Sequence, residues 1–321
     1  MSFSKRMSRI KPSGIRAVQK RIAGKSDMIS FAAGLPDPAL YPLEDLRKAA
    51  DTMLEKEGAT AFAYGLTKGY GPLLDYLTDR MNNREHVECT KENICILSGS
   101  QQGLGLAAMT FLDEGDVVIT ENPSYLGAIN AFRPYGAEFV GVDTDDDGIV
   151  IEDLERALEE NPNTKLIYVI PNFQNPTGKA WTLERRERFM EVVAKYDVAV
   201  VEDNPYGDLR FKGEPLPHLR ALDKKGQVIY LGSFSKILSP GMRVAWTCAS
   251  KEVATAFESL KETNDLQSPE LTQMLTYYYL KMFDLEKHIE EIQEVYKERC
   301  ELMVEMIQKY FPAEIKYTDP E

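Results

Sequence analysis

The strongest constraint on this chain is an alternation that runs through its middle. Short apolar or β-branched runs at residues 94–97, 117–120, 166–170, 198–201 and 228–231, with a further strand-like stretch at 137–142, are separated by helix-like segments at 101–112, after Pro123, at 152–160 and at 183–196. A strand with one face in water alternates apolar and polar side chains, whereas a strand apolar at every position must be covered on both faces. The intervening helices supply the crossovers that parallel strands need. The pattern therefore predicts an α/β fold of three layers, a mostly parallel sheet flanked by helices. From about residue 269 the character changes to long helices, including 286–310, with apolar positions at i, i+3 and i+4, which predicts a second, smaller domain.

Open parallel sheets bind ligands outside the carboxyl ends of their strands, so the chemistry is sought just after each run. After 94–97 come Gly99, Ser100 and Gln101, opening a helix whose free N–H groups and positive dipole end suit a phosphate. Glycine–serine turns also open helices that hold no ligand. After 166–170 comes Pro171-Asn172-Phe173-Gln174-Asn175-Pro176-Thr177-Gly178, where an amide side chain either caps the loop or faces a ligand. After 198–201 come Glu202, Asp203, Asn204, Pro205 and Tyr206. A carboxylate at the end of a buried strand needs a positive partner, either a structural cation or a protonated ring nitrogen. After 228–231 comes Gly232-Ser233-Phe234-Ser235-Lys236, with Arg243 following. Lys236 ends an apolar strand among small hydroxyl residues, where it is either a desolvated nucleophile or Schiff-base former or a lysine snorkelling from the strand end.

Each segment has an ordinary structural explanation alone. Together they place a phosphate cradle, a loop asparagine, an acid with a tyrosine, and a lysine with a trailing arginine at one sheet edge. Those are the needs of pyridoxal 5'-phosphate: phosphate anchoring, partners for the ring nitrogen and ring oxygen, and an imine-forming amine.

Composition narrows the alternatives. A net charge of −13, from 38 basic and 51 acidic residues, argues against non-specific nucleic-acid binding. Cys89, Cys95, Cys248 and Cys300 form no C-x-x-C pair, and His86, His218 and His288 are scattered, so reduced thiols, a cytoplasmic location and no metal site are expected. No apolar run is long enough to span a bilayer, so no membrane partner is expected. Residues 1–26 carry eight Lys or Arg and no acid, read as a basic arm or first helix rather than a transit peptide. Gly99, Gly103 and Gly105 do not fit G-x-G-x-x-G, which argues against a Rossmann-type nucleotide site.

The motifs, in their order, resemble those of one family. They are Phe31-Ala32-Ala33-Gly34-Leu35-Pro36-Asp37-Pro38, residues 64–71, Ser98-Gly99-Ser100-Gln101-Gln102-Gly103, Glu121-Asn122-Pro123-Ser124-Tyr125, Gln174-Asn175-Pro176-Thr177-Gly178, Glu202-Asp203-Asn204-Pro205-Tyr206 and the segment from Ser233 to Arg243. This succession, from about Arg9 to Tyr310, resembles the fold-type I aminotransferases, in the branch of α-aminoadipate and kynurenine aminotransferases and the aminotransferase-like halves of GntR-type regulators. The resemblance implies pyridoxal phosphate as cofactor and a homodimer with shared active sites. The implied reaction is ping-pong transfer of an amino group from an L-amino acid to a 2-oxo acid, commonly 2-oxoglutarate.

By the same resemblance, Lys236 would hold the cofactor as a Schiff base and shuttle the substrate proton. Asp203 would keep the pyridine nitrogen protonated, Tyr206 and Asn175 would bond the ring oxygen, and Tyr125 would stack on the ring. Ser100, Gln101, Ser233, Ser235 and Arg243 would hold the phosphate, with Tyr64 reaching the phosphate of the neighbouring subunit. Gly34, Asn175 and Arg16 would meet the substrate. The implied domains are 1–40, an N-terminal arm and part of the small domain; 41–268, the cofactor-binding large domain; and 269–321, the rest of a smaller α+β domain incomplete at its C-terminus. In the family a further segment carries the arginine that binds the substrate α-carboxylate, and no arginine follows Arg299 here. The expectation is a C-terminally truncated member. Two other readings stand beside it: a β-lyase on the same scaffold, and a non-catalytic cofactor-binding regulatory domain, which formation of 2-oxo acid from amino acids would separate from an enzyme.

Overall fold

The computed structural model describes residues 1–10, 21 and 34–320. Arg16 and the Phe31-Ala32-Ala33 start of the first motif lie outside these residues. Among the described residues eight strands form one sheet: β1 (Ile94–Leu97), β2 (Val117–Asn122), β3 (Glu138–Asp145), β4 (Gly148–Ile149), β5 (Thr164–Val169), β6 (Ala199–Asn204), β7 (Val228–Ser233) and β8 (Ala245–Cys248). Their order is β1-β8-β7-β6-β5-β2-β3-β4. Strands β3, β2, β5, β6 and β7 run parallel; β8 is antiparallel to both β7 and β1, and β4 is a short antiparallel addition to β3.

The helices are α1 (Lys5–Arg9), α2 (Leu43–Ala61), α3 (Gly71–Asn83), α4 (Ser100–Phe111), α5 (Leu126–Phe132), α6 (Ile151–Glu160), α7 (Leu183–Val193), α8 (Leu219–Leu222), α9 (Lys251–Asn264), α10 (Glu270–Met282) and α11 (Leu285–Tyr310). Successive strand residues point to opposite faces, and the core divides accordingly. Cys95 and Leu97 of β1, Val118 of β2, Leu166 and Tyr168 of β5 and Val201 of β6 pack with Leu104 of α4, Phe132 of α5 and Phe257 of α9. On the other face Ile119, Ile167, Val169 and Val200 pack with Leu154 of α6 and Phe189 of α7, while Ile94, Ile96, Tyr230 and Trp246 pack with α2, α3 and α10. Cover on both faces is the physical reason the strands read as continuous apolar runs.

Three elements differ in detail from the sequence reading. The run at 166–170 is not wholly apolar, because Tyr168 brings a hydroxyl into its middle. The helix at 183–196 stops at Val193, where the Ala194 N–H closes onto Met190 O and the Lys195 and Tyr196 N–H groups close tighter turns onto Val192 O and Val193 O. The helical character after 269 begins with α10, whose Met274, Tyr278 and Tyr279 share a core cluster with Ile94 and Trp246 of the sheet. Residues before the first long helix meet α11: the Asp37 backbone N–H donates to Tyr296 Oη at 3.0 Å, and the Asp37 carboxylate pairs with Arg299 at 2.5 Å.

Candidate active site

The sheet carries three chain segments to one edge. β1 and β7 end there because both run the same way, and β8 begins there because it runs the opposite way. Leu97, Ala245 and Ser233 are neighbours in register across β1, β8 and β7. The residues just beyond this row, 98–101, 233–236 and 243, therefore surround one opening. A cavity of about 170 Å³ is lined by Ser100, Gln101, Tyr125, Asp203, Tyr206, Ser233, Ser235, Lys236 and Arg243, together with Leu104, Ile170, Pro205 and Pro240.

One group of these lining residues has the chemistry to receive an anion. Gly99, at φ 86° and ψ 156°, precedes α4 without a side-chain cap, so the first N–H groups of a 12-residue helix are free of one. The Ser100 hydroxyl is buried with no hydrogen-bond partner among the described residues. Ser233 and Ser235 hydroxyls lie 2.8 Å apart, and the Ser235 N–H donates to Ser233 Oγ at 3.1 Å. Gln101 Nε2 donates to Gly127 O at 3.0 Å, which ties the helix start to α5. Arg243 adopts a left-handed conformation (φ 53°) and donates from Nη2 to Ser98 O at 3.1 Å. The guanidinium thus stands against the backbone of Gly99.

A second group offers a carboxylate, a phenol and an amine. Asp203, at the end of β6, is 3% exposed. Its Oδ2 accepts from Tyr168 Oη at 2.9 Å, while Oδ1 is buried with no partner among the described residues. Burial pushes its carboxyl up to about 6, against the Tyr168 hydrogen bond and the Lys236 charge, which both pull it down. Tyr206 is pushed up to about 12 by burial, opposed by the Asn175 side chain, whose Nδ2 donates to Tyr206 Oη at 3.0 Å. Lys236 Nζ sits 5.7 Å from the Tyr206 ring centroid. Burial and then the charge of Arg243 hold Lys236 below the usual lysine range, with Asp203 opposing them. An amine so placed gives up its proton more readily than an exposed lysine does and, once neutral, can condense with an aldehyde.

The structure thus brings nine of the expected residues to the cavity and adds Asn175 through Tyr206. Gly34 and Tyr64 are exposed and do not line it, Tyr64 being 88% exposed. Sequence reasoning missed Tyr168 and also Glu121. Glu121 is fully buried and accepts from Ile170 N–H at 2.9 Å and Trp181 Nε1–H at 3.0 Å, so it clasps both ends of the loop that carries Asn175. Burial pushes its carboxyl up to about 8. The motif around Glu121 points to Tyr125 alone; the signal for the acid was its place at the end of an otherwise apolar strand.

The family model for aminotransferase class I and II matches residues 26–321. The chain belongs to this family. The aminotransferase is 40% identical over 323 residues to aromatic-amino-acid aminotransferase 1 of Thermococcus litoralis, covering 99% of this chain and 77% of that protein. It is 39% identical to 2-aminoadipate transaminase of Thermus thermophilus, covering 99% and 79%. In structure it is similar to the kynurenine aminotransferase of Pyrococcus horikoshii, solved with pyridoxamine phosphate (PMP), with a TM-score of 0.94, 38% identity, and 99% and 80% of the two chains covered. Among the described residues, no helix of this aminotransferase is long and apolar enough to cross a membrane.

Proposed function

We propose that this aminotransferase uses pyridoxal 5'-phosphate to move the amino group of an L-amino acid to a 2-oxo acid, 2-oxoglutarate being the expected acceptor, in a ping-pong reaction. The observation that carries this reading is Asp203. A buried carboxylate with one oxygen unpartnered among the described residues is costly, and this one faces the cavity that also holds a depressed lysine and an anion cradle. A flat, protonated nitrogen heterocycle bearing a phosphate and an aldehyde matches all three. When bound, pyridoxal phosphate supplies the aldehyde that condenses with amines and a protonated ring that draws electrons from the carbon carrying the amino group.

The side chains divide the work. Asp203 Oδ1 would hold the ring nitrogen and its proton. Tyr206 and Asn175 would hold the ring oxygen, and Tyr125 would cover the ring face. The α4 N-terminus, Ser100, Gln101, Ser233, Ser235 and Arg243 would hold the phosphate. Lys236 Nζ would anchor the cofactor and, once released by the incoming amino acid, take the proton from the substrate Cα. Gly34 and Arg16 are read as substrate contacts, and Tyr64 as a contact to the phosphate of a second copy. Exposed apolar side chains at Phe62, Tyr64 and Leu66 support pairing of two chains in a homodimer. Free cysteines support a cytoplasmic location. The contacts of Asp37 with Tyr296 and Arg299 support a smaller unit built from residues 1–40 and the later helices around a large domain at 41–268.

The test is the visible absorption of the purified enzyme. The expected result is a yellow band that Lys236→Ala abolishes, that bleaches with glutamate or α-aminoadipate, and that returns with 2-oxoglutarate. A band that survives Lys236→Ala would refute the assignment of the lysine.

A further inference from the structure

We propose that Tyr168 is a positioning residue that fixes the Asp203 carboxylate, holding Oδ2 so that Oδ1 is the oxygen presented to the cavity. The inference deepens the cofactor reading above and rests on Asp203 being the partner of the ring nitrogen.

The placement follows from strand register. Tyr168 of β5 lies opposite Val201 of β6, and Asp203 is two residues further along the same face. A diagonal neighbour on one face is within reach of a tyrosine hydroxyl, and Tyr168 Oη lies 2.9 Å from Oδ2. The tyrosine ring is fully buried and held edge-on by Phe132, with centroids 5.9 Å apart. Burial and the facing carboxylate push the Tyr168 phenol well up, so it keeps its proton and is the donor.

An aspartate turns broadly about its last torsion. Locked at Oδ2 by a hydroxyl that is itself immobile, it leaves Oδ1 as the acceptor available to a ligand. The groups facing this carboxylate are Tyr168 from β5, Lys236 after β7, Tyr125 before α5 and Tyr206 after β6. Of these, the Tyr168 hydroxyl and the Lys236 charge draw Asp203 down from its desolvated value. Removing the hydroxyl leaves Lys236 to act alone, and the carboxyl then keeps its proton to higher pH, where a protonated ring nitrogen finds no anion opposite it.

The experiment compares the wild type with Tyr168→Phe, which keeps the ring and its packing. The dissociation constant of pyridoxal phosphate is measured by titrating each apoprotein across the range from about pH 5.5 to about pH 8.5. A parallel titration uses the deaza analogue, in which C–H replaces the ring nitrogen. The expected result is roughly 10- to 100-fold weaker binding of pyridoxal phosphate by the variant near neutral pH, the worth of one hydrogen bond to a charged group. That deficit closes below about 6, where the wild-type carboxyl is protonated too, and is absent for the analogue. A deficit that is flat with pH, equal for the analogue, or missing altogether overturns the inference. Asp203→Asn separates the two levels of argument. If it binds pyridoxal phosphate as the wild type does, the assignment of Asp203 falls and Tyr168 falls with it; if it binds weakly while Tyr168→Phe does not, only Tyr168 falls.

Discussion

Replacing Gly99 by alanine puts two separable costs on the anion end of the site. The first is local: at φ 86° and ψ 156° the backbone lies where glycine alone is comfortable, and forcing a Cβ there costs about 1–3 kcal/mol. The second is a collision. The new Cβ would sit 2.5 Å from Cζ and 3.0 Å from Nη1 of Arg243, so the guanidinium must swing off the Ser98 carbonyl. If Arg243 holds the cofactor phosphate, losing one charged contact should weaken pyridoxal phosphate binding by roughly 10- to 100-fold. A double-mutant cycle separates the two. Denaturant melts of the apoprotein report the strain, and cofactor titration reports the contact. Gly99→Ala is expected to weaken cofactor binding strongly when Arg243 is present and by less than about threefold in an Arg243→Ala background. Equal losses in both backgrounds would refute the reasoning, because the glycine would then act through its backbone alone.

Two further outcomes follow from buried charges. The Asp203 carboxyl is raised by burial from an ordinary 3.8 to about 6. Its contribution to stability is therefore full below the unfolded value and lost as pH rises through about 6. Apoprotein carrying Asp203→Asn should be the more stable form at about pH 8, by at most about 3 kcal/mol, with the advantage fading towards pH 4; urea melts of the two apoproteins at both pH values check it. His218 is buried between Glu202 Oε1 at 3.3 Å and Glu85 Oε2 at 2.8 Å. Burial pushes the imidazole down, but the two carboxylates win and raise it to about 9. That contribution is full below about 6.5 and disappears as pH rises through about 9. His218→Ala should then cost about 3–5 kcal/mol at pH 6 and clearly less at pH 10 in the same melts, and a loss independent of pH would count against a charged imidazole.

Much of this enzyme was legible in the residues that follow its apolar runs. Asp203 ends a strand, and Tyr206 and Lys236 follow strands, that run parallel, and parallel strands buried on both faces announce themselves by unbroken hydrophobicity. Their carboxyl ends share an edge whatever their order, so the acid, the phenol and the amine could be assigned to one site from local pattern alone. The glycine before α4 was legible for the same reason, since a helix that opens after a strand points its free N–H groups at that edge.

The rest needed the tertiary structure, because it depends on pairings between distant segments. Arg243 was placed at this edge by its motif, but its contact with Ser98 O exists because β8 is antiparallel, which puts its start beside the ends of β1 and β7; nothing in the residues showed that this one strand reverses. Tyr168 reads as one more core aromatic until the β5–β6 register sets it diagonal to Asp203. Glu121 reads as a polar strand end until Trp181, sixty residues away, closes on it. Local sequence determined which groups lie at the active edge, because periodicity and strand ends are local properties. The fold decided which of those groups touch, because hydrogen bonds between strands depend on register, and register is fixed by how the whole core packs.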